Sequence, residues 1–202
     1  MGMQKKTAEQ LRIYLEVAKK VGIYDAVMLG FGGLLGYVRE SGFCKCDNDL
    51  DMIVRSDMIS PEQEKEFFKE VEKAKLFRYR RRVETNPATG RLFWFSIRAF
   101  PEEQCYKMCT WFFWKHQGYG FHNKGCVGAL VKGVPEHLLE IGRIVDFMGN
   151  KIHIPKHTLK CLDYWYPGWL IPRSGSSSFK TLLKIKEWNK PKSWKMSVHY
   201  PI

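Results

Sequence analysis

Apolar positions along the chain change period repeatedly, and the changes divide it into helices and strands. Leu11, Tyr14, Leu15, Ala18 and Val21 recur at helical spacing. They follow Thr7-Ala8-Glu9-Gln10, which has the form of a capping box with Thr7 as N-cap and Gln10 three residues in. Gly22 stands where a glycine releases the chain from a helix, so the pattern predicts an amphipathic helix of about four turns. Residues 26–29 form a short apolar run that reads as a buried strand. Gly30, Gly32 and Gly33 follow it, and residues 34–39 read as a short helix.

Residues 50–54 are a second apolar strand, entered through an acidic run. Ser60-Pro61-Glu62-Gln63 is a second capping box, with proline at the first helical position. Its helix is predicted to run to about residue 74, with Phe67, Phe68 and Val71 on one face. Residues 77–83 and 91–100 flank Asn86-Pro87-Ala88-Thr89-Gly90, a hairpin signal. Residues 109–114 are β-like, and Trp111, Phe112, Phe113 and Trp114 are too continuous for a one-sided strand, which makes them core or an apolar platform. Residues 118–128 are glycine-rich and carry no clear period. Residues 135–141 suggest a short helix, Met148-Gly149-Asn150 a second hairpin, and residues 156–166 a helix stopped by Pro167-Gly168. Helices and strands alternate irregularly and nothing repeats, so the expected class is α/β (α+β) with a mixed β-sheet flanked by helices. The expected organisation is one domain over residues 1–172 and a basic, Trp-containing arm over residues 173–202, opened by Gly175-Ser176-Ser177-Ser178.

Composition narrows the class. In 202 residues, 45% are hydrophobic and 14% aromatic, which supports a real core and excludes a disordered chain. The net charge of +12, from 33 basic against 21 acidic residues, suits a nucleotide, a phosphorylated glycan, an anionic membrane surface or a nucleic acid. No run reaches the roughly 18 apolar residues of a membrane span, and no apolar segment follows Met1-Gly2-Met3-Gln4-Lys5-Lys6. The expectation is a cytoplasmic protein with its six cysteines as thiols.

The chemistry concentrates in Gly32-Gly33-Leu34-Leu35-Gly36-Tyr37-Val38-Arg39 and, after Gly42-Phe43-Cys44-Lys45-Cys46, in Asp47-Asn48-Asp49-Leu50-Asp51. Asp47, Asp49 and Asp51 are spaced by two, which on an extended chain puts their carboxylates on one side within about 7 Å of one another. Like charges so placed call for a cation, and hard oxygen donors suit Mg²⁺ or Mn²⁺. No glycine or closing glutamate completes an EF-hand loop. A strand followed by Gly32, Gly33 and a helical turn at Leu34 would offer backbone N–H groups to a phosphate, with Arg39 adding a charge-assisted contact. A metal and a phosphate cradle this close together are the parts of phosphoryl transfer.

The pattern G-x-L-L-G-x-x-R, then G-F, then D-x-D-x-D before apolar residues, resembles the LicD family of phosphocholine transferases and fukutin-like proteins, within the nucleotidyltransferase superfamily. Residues 150–155, the helix after them and Gly168-Trp169-Leu170-Ile171-Pro172 are similar to the family's C-terminal signature, so the resemblance spans about residues 8–172. It implies a nucleotidyltransferase-like fold and metal-dependent transfer of a phosphate-linked alcohol, phosphocholine or a polyol phosphate, from a CDP-linked donor nucleotide to a carbohydrate or glycolipid acceptor. It implies Asp49 and Asp51 as the catalytic metal pair, Asp47 as the preceding acidic position, and Gly32, Gly33 and Arg39 as the glycine segment with its arginine. One departure stands out. The family's V-D-I-F-P segment has its nearest match in Phe95-Ser96-Ile97-Arg98-Ala99-Phe100-Pro101, where Ser96 or Arg98 replaces the carboxylate and Glu84, Glu102 or Glu103 would have to substitute.

Weaker signals remain. Cys105 and Cys109, with His116, His122 and Cys126, could bind zinc, but the spacing is irregular and buried thiols are the better expectation. Cys44 and Cys46 read as packing residues. Arg78-Tyr79-Arg80-Arg81-Arg82 reads as a strand with alternate residues in solvent rather than as a nucleic-acid site. Trp188 and Trp194 among the lysines of the arm suggest peripheral contact with an anionic membrane.

Overall fold

A computed structural model describes residues 2–44, 49–85, 90–116, 120–122 and 134–170. Four helices, α1 (Met3–Val21), α2 (Phe31–Glu40), α3 (Pro61–Lys73) and α4 (Thr158–Trp165), flank a mixed sheet. Its strands are β1 (Val27–Leu29), β2 (Asp49–Arg55), β3 (Arg80–Thr85), β4 (Leu92–Arg98), β5 (Lys107–His116), β7 (Ile141–Phe147) and β8 (Asn150–Pro155). Their order is β3-β4-β5-β2-β1-β8-β7, and β6 (Gly120–His122) pairs with the end of β5. The β1–β8 and β2–β5 pairs are parallel and the others antiparallel. This is the α+β architecture expected from the sequence.

The hydrophobic periods account for most of it. The Ser60 box forms as expected: Ser60 Oγ accepts the Gln63 N–H, and Gln63 Oε1 accepts the Ser60 N–H. Phe67 and Val71 of that helix are fully buried, with Phe67 edge-on to Tyr14 of α1. Both predicted hairpins form. The second turns through Met148 and Gly149, at φ 55° and 77°, the pair of positive angles that a two-residue type I′ turn requires.

The first capping box does not form. Helix α1 starts earlier, at Met3 behind Gly2, and Thr7 and Gln10 are fully buried inside it. Thr7 Oγ1 donates to the Met3 carbonyl and accepts the Tyr106 N–H, while the Gln10 amide takes the Ala99 N–H and donates to the Tyr106 carbonyl. These polar groups tie α1 to the segment between β4 and β5. The region predicted helical at residues 135–141 is only a 3-10 turn, Glu136–Leu139, before β7. The arm of residues 173–202, Asp47, Cys46 and Cys126 lie outside the described residues.

The sheet has two unlike faces. On one, Phe95, Met108, Thr110 and Phe112 are buried beneath α1 and α3. On the other, α2 packs on β2 and α4 packs on α2 and β8, and Phe31 of α2 meets Trp111, Phe113 and Trp165. The continuous aromatic run of β5 is thus explained: successive rings enter opposite cores, as in a strand covered on both sides.

Candidate metal centre

The second face carries the polar cluster. Strand alternation puts Asp49 and Asp51 of β2 on the same side, and the parallel register sets Asp49 opposite Lys107 and Asp51 opposite Cys109. One ligand atom from each of Asp49, Asp51 and Cys109 lies within 4.8 Å of the others. Asp51 and Cys109 are buried, at 8% and 5% exposure. The row continues onto β4, where Ser96 lies opposite Cys109, and onto β3, where Arg82 lies opposite Ser96.

Asp51 is held at both carboxylate oxygens. Its Oδ1 accepts the indole N–H of Trp111 at 2.8 Å and its Oδ2 the backbone N–H of Gly32 at 3.2 Å. Trp111 in turn stacks on Trp94, its cross-strand neighbour, with ring centroids 5.6 Å apart. Outer hydrogen bonds of this kind orient a ligand before a metal arrives. Asp49 pairs with Lys107 at 2.8 Å, and the Cys109 thiol points at Asp49 Oδ2 from 3.8 Å. Burial depresses the Lys107 ammonium, but the hydrogen bond and charge of Asp49 outweigh it and hold the group above its ordinary pKa. Burial, then the charges of Asp51 and Asp49, push the Cys109 thiol well above its ordinary value. Two carboxylates and a thiol converging on one point, with Lys107 paired to one of them, form a donor set that a divalent cation would satisfy.

The glycine segment works differently from the expectation. Gly32 and Gly33 do not form a loop in front of a helix; they are in the first turn of α2 itself. The Gly32 N–H is directed at Asp51 rather than outward. A Cβ on Gly33 would lie 2.8 Å from the Asp51 carbonyl oxygen, so glycine there lets α2 press against β2. Leu34 is fully buried in the core, and its N–H donates to the Gly30 carbonyl. Arg39 is in the last turn of α2, roughly 10 Å along the axis from Gly32, with Nη2 on Glu40 at 3.0 Å and on Cys44 Sγ at 3.5 Å. The first turn of α2 thus directs its Gly32 N–H to Asp51, and Arg39 stands at the other end of the helix.

Phe31, the first residue of α2, has φ 37°, a conformation that costs a non-glycine residue roughly 1–3 kcal/mol. Its ring packs 4.6 Å from that of Trp165 and 5.8 Å from that of Trp111, and this packing holds the turn that presents Gly32 to Asp51.

Neither Ser96 nor Arg98 takes the place of the missing carboxylate. Ser96 is fully buried two strands from β2, with Oγ accepting from Arg80 Nε at 3.0 Å, and Arg98 pairs with Glu102. Glu84 is on β3, three strands from β2. The residue beside Asp51 is Cys109, which sequence reading placed in a loose cysteine–histidine group. Of that group's described side chains, Cys105 Sγ is 3.7 Å from the Thr7 hydroxyl oxygen on α1, whereas Cys109 joins the aspartates. The signal available in sequence was the apolar run beginning at Met108, which marks a strand able to pair with β2. Trp111, Gly32 as a carboxylate donor, and Lys107 were likewise missed.

The family model described as LicD/FKTN/FKRP, nucleotidyltransferase domain, matches residues 25–157, about two thirds of the chain. That span runs from just before β1 to the end of β8 and contains Asp49, Asp51 and Cys109. No curated protein matches the chain.

Proposed function

The chain belongs to the LicD family, and on that premise we propose that it is a metal-dependent phosphotransferase whose ion is held by Asp49 and Asp51. The observation that carries this reading is the convergence of the two carboxylates, with Asp51 fixed from both sides by Gly32 and Trp111. On oxygen donors alone the ion would be Mg²⁺ or Mn²⁺. When bound, it neutralises phosphate charge and polarises the phosphorus toward attack.

The donor is a CDP-linked alcohol of the CDP-choline or CDP-ribitol kind, and the acceptor a hydroxyl of a carbohydrate or glycolipid. The acceptor oxygen forms a bond to the phosphorus bearing the alcohol. The bond from that phosphorus to the bridging oxygen of CMP breaks, CMP leaves with the bond's electrons, and the hydroxyl proton passes to solvent or a basic side chain. Lys107 and Arg80 supply positive charge beside the acidic pair, and the edge strand β3, with exposed Arg82, offers an anionic acceptor a basic surface. No helix of the described residues is long and apolar enough to cross a membrane; a lipid-linked acceptor would be met by peripheral contact.

A nucleotidyl transfer would use the same pair and release pyrophosphate instead of CMP. The experiment is a donor panel of CDP-alcohols and nucleoside triphosphates with Mg²⁺ or Mn²⁺, on the wild type and on Asp49→Asn/Asp51→Asn. CMP release that depends on metal and on both aspartates is the expected result. Pyrophosphate release would replace the reading by nucleotidyl transfer, and binding without any turnover by a nucleotide-binding module.

A further inference from the structure

Among the described residues, the third potential donor beside the two carboxylates is a sulfur. Cys109 lies opposite Asp51 on the neighbouring strand, its side chain is almost fully inside the protein, and its Sγ faces two carboxylates rather than apolar groups. A structural thiol is normally inert among hydrocarbon side chains. Here the flanking residues of the same strand, Met108 and Thr110, go into the opposite core and are fully buried, whereas Cys109 is on the acidic side. Strand alternation sets that placement, so Cys109 cannot turn into the α1–α3 core without a slip in register.

We propose that Cys109 is the third protein ligand of the divalent ion held by Asp49 and Asp51, and that its sulfur makes the site prefer Zn²⁺ and Co²⁺ over Mn²⁺ and Mg²⁺. The inference rests on the metal reading of the previous subsection and deepens it. Carboxylates alone favour hard ions, but a thiolate selects softer ones, and affinity on mixed N, O and S donors rises from Mn²⁺ toward Co²⁺ and Zn²⁺. As the metal–sulfur bond forms, the Cys109 proton leaves for solvent, and Lys107 gives up its contact with Asp49. Zinc thus enters through Cys109 and the aspartates, and not through a Cys105–Cys109 pair.

The test is a Co²⁺ titration of the full chain, followed by sulfur-to-cobalt charge-transfer absorption and by thermal shift, with Cys109→Ser, Cys109→Ala and Asp49→Asn/Asp51→Asn in parallel. The wild type is expected to show the band. Both Cys109 variants are expected to lose it while keeping the wild-type circular dichroism. Losing a partner outside the first ligands typically costs 10–100-fold, so loss of Cys109 should weaken Co²⁺ binding by about a hundredfold and change Mg²⁺ binding little. A band that survives in both Cys109 variants comes from another cysteine and overturns the proposal. So does a wild type stabilised by Co²⁺ with no band, although the carboxylate metal site then stands. Absence of stabilisation by any divalent ion overturns the metal reading together with this inference. Should both Cys109 variants be misfolded, loss of the wild-type band in the still-folded aspartate double variant supports the proposal and its retention refutes it.

Discussion

Asp51→Asn tests whether the buried carboxylate serves a ligand or the fold. Asp49 and Asp51 present oxygens no more than 4.8 Å apart. At an effective dielectric constant of 20, two full charges at that distance repel by about 3.5 kcal/mol. Lys107, 2.8 Å from Asp49, already offsets part of that repulsion, so neutralising Asp51 does not by itself destabilise the fold electrostatically. The hydrogen bonds decide the rest. Both Trp111 Nε1 and the Gly32 N–H donate to Asp51, and an asparagine offers an oxygen to one and must turn its own N–H₂ toward the other. One buried donor left unmatched costs about 1–3 kcal/mol. For a chain of this size each kcal/mol lowers Tm by roughly 2–4 °C, which gives a drop of about 2–12 °C in a protein that still folds. Ligand response should be the larger effect. At a hundredfold excess of Mn²⁺ over Kd the wild type gains about 2.7 kcal/mol, and the variant gains nothing. Differential scanning calorimetry with and without Mn²⁺ reads both quantities. An undiminished Mn²⁺ shift in Asp51→Asn would refute the reasoning. Loss of folding at 25 °C would show instead that Asp51 is chiefly a structural residue.

Three further outcomes are expected. Trp111→Phe keeps a ring against Trp94 and removes the hydrogen bond to Asp51, so folding should persist while metal affinity falls about tenfold or more, measured by isothermal calorimetry. Gly36→Ala would place a Cβ 2.5 Å from the Cys44 backbone nitrogen and close to the Gly42 carbonyl, atoms that cannot rotate away; a loss of about 1–3 kcal/mol in urea unfolding is expected, and an unchanged midpoint would disprove the close approach. Glu70 of α3 pairs with Lys20 of α1 and with Lys73, and hydrogen bonds from these two lysines hold its carboxyl down at about 2, below its ordinary 4.5. Its contribution to stability is complete above pH 4.5 and lost as pH falls toward 2, so Glu70→Gln should flatten that part of the pH dependence of unfolding, and an identical acid limb would exclude the linkage.

Much of the architecture was legible locally. The Ser60 capping box, the Gly22 helix stop and the Met148-Gly149 turn each depend on neighbours within a few residues, and each formed as read. The pairing of Asp49 with Asp51 was legible for the same reason, because the strand period alone puts them on one side. Thr7 and Gln10 mark where local reading stops. Their spacing satisfies a capping box, but full burial against the β4–β5 segment gives their polar groups other partners, and the helix extends past them to Met3. Gly32 and Gly33 show the same limit: a glycine pair after a strand is compatible with a loop around an anion and with a helix pressed on a strand, and the contact with Asp51 selects the second.

From the sequence alone, then, come the class of fold, the acidic pair and the family resemblance, because all three follow from local periods and short motifs. Only the tertiary structure decided what stands beside the pair. Cys109, Lys107 and Trp111 are about 60 residues from Asp49 and Asp51 along the chain and reach them through the parallel register of β2 with β5. Nothing in the spacing of residues 107–111 distinguishes that register from one shifted by a residue, which would turn Cys109 into the opposite core. Burial of Met108, Thr110 and Phe112 beneath α1 and α3 selects it, and in doing so it places the Cys109 sulfur beside the two carboxylates.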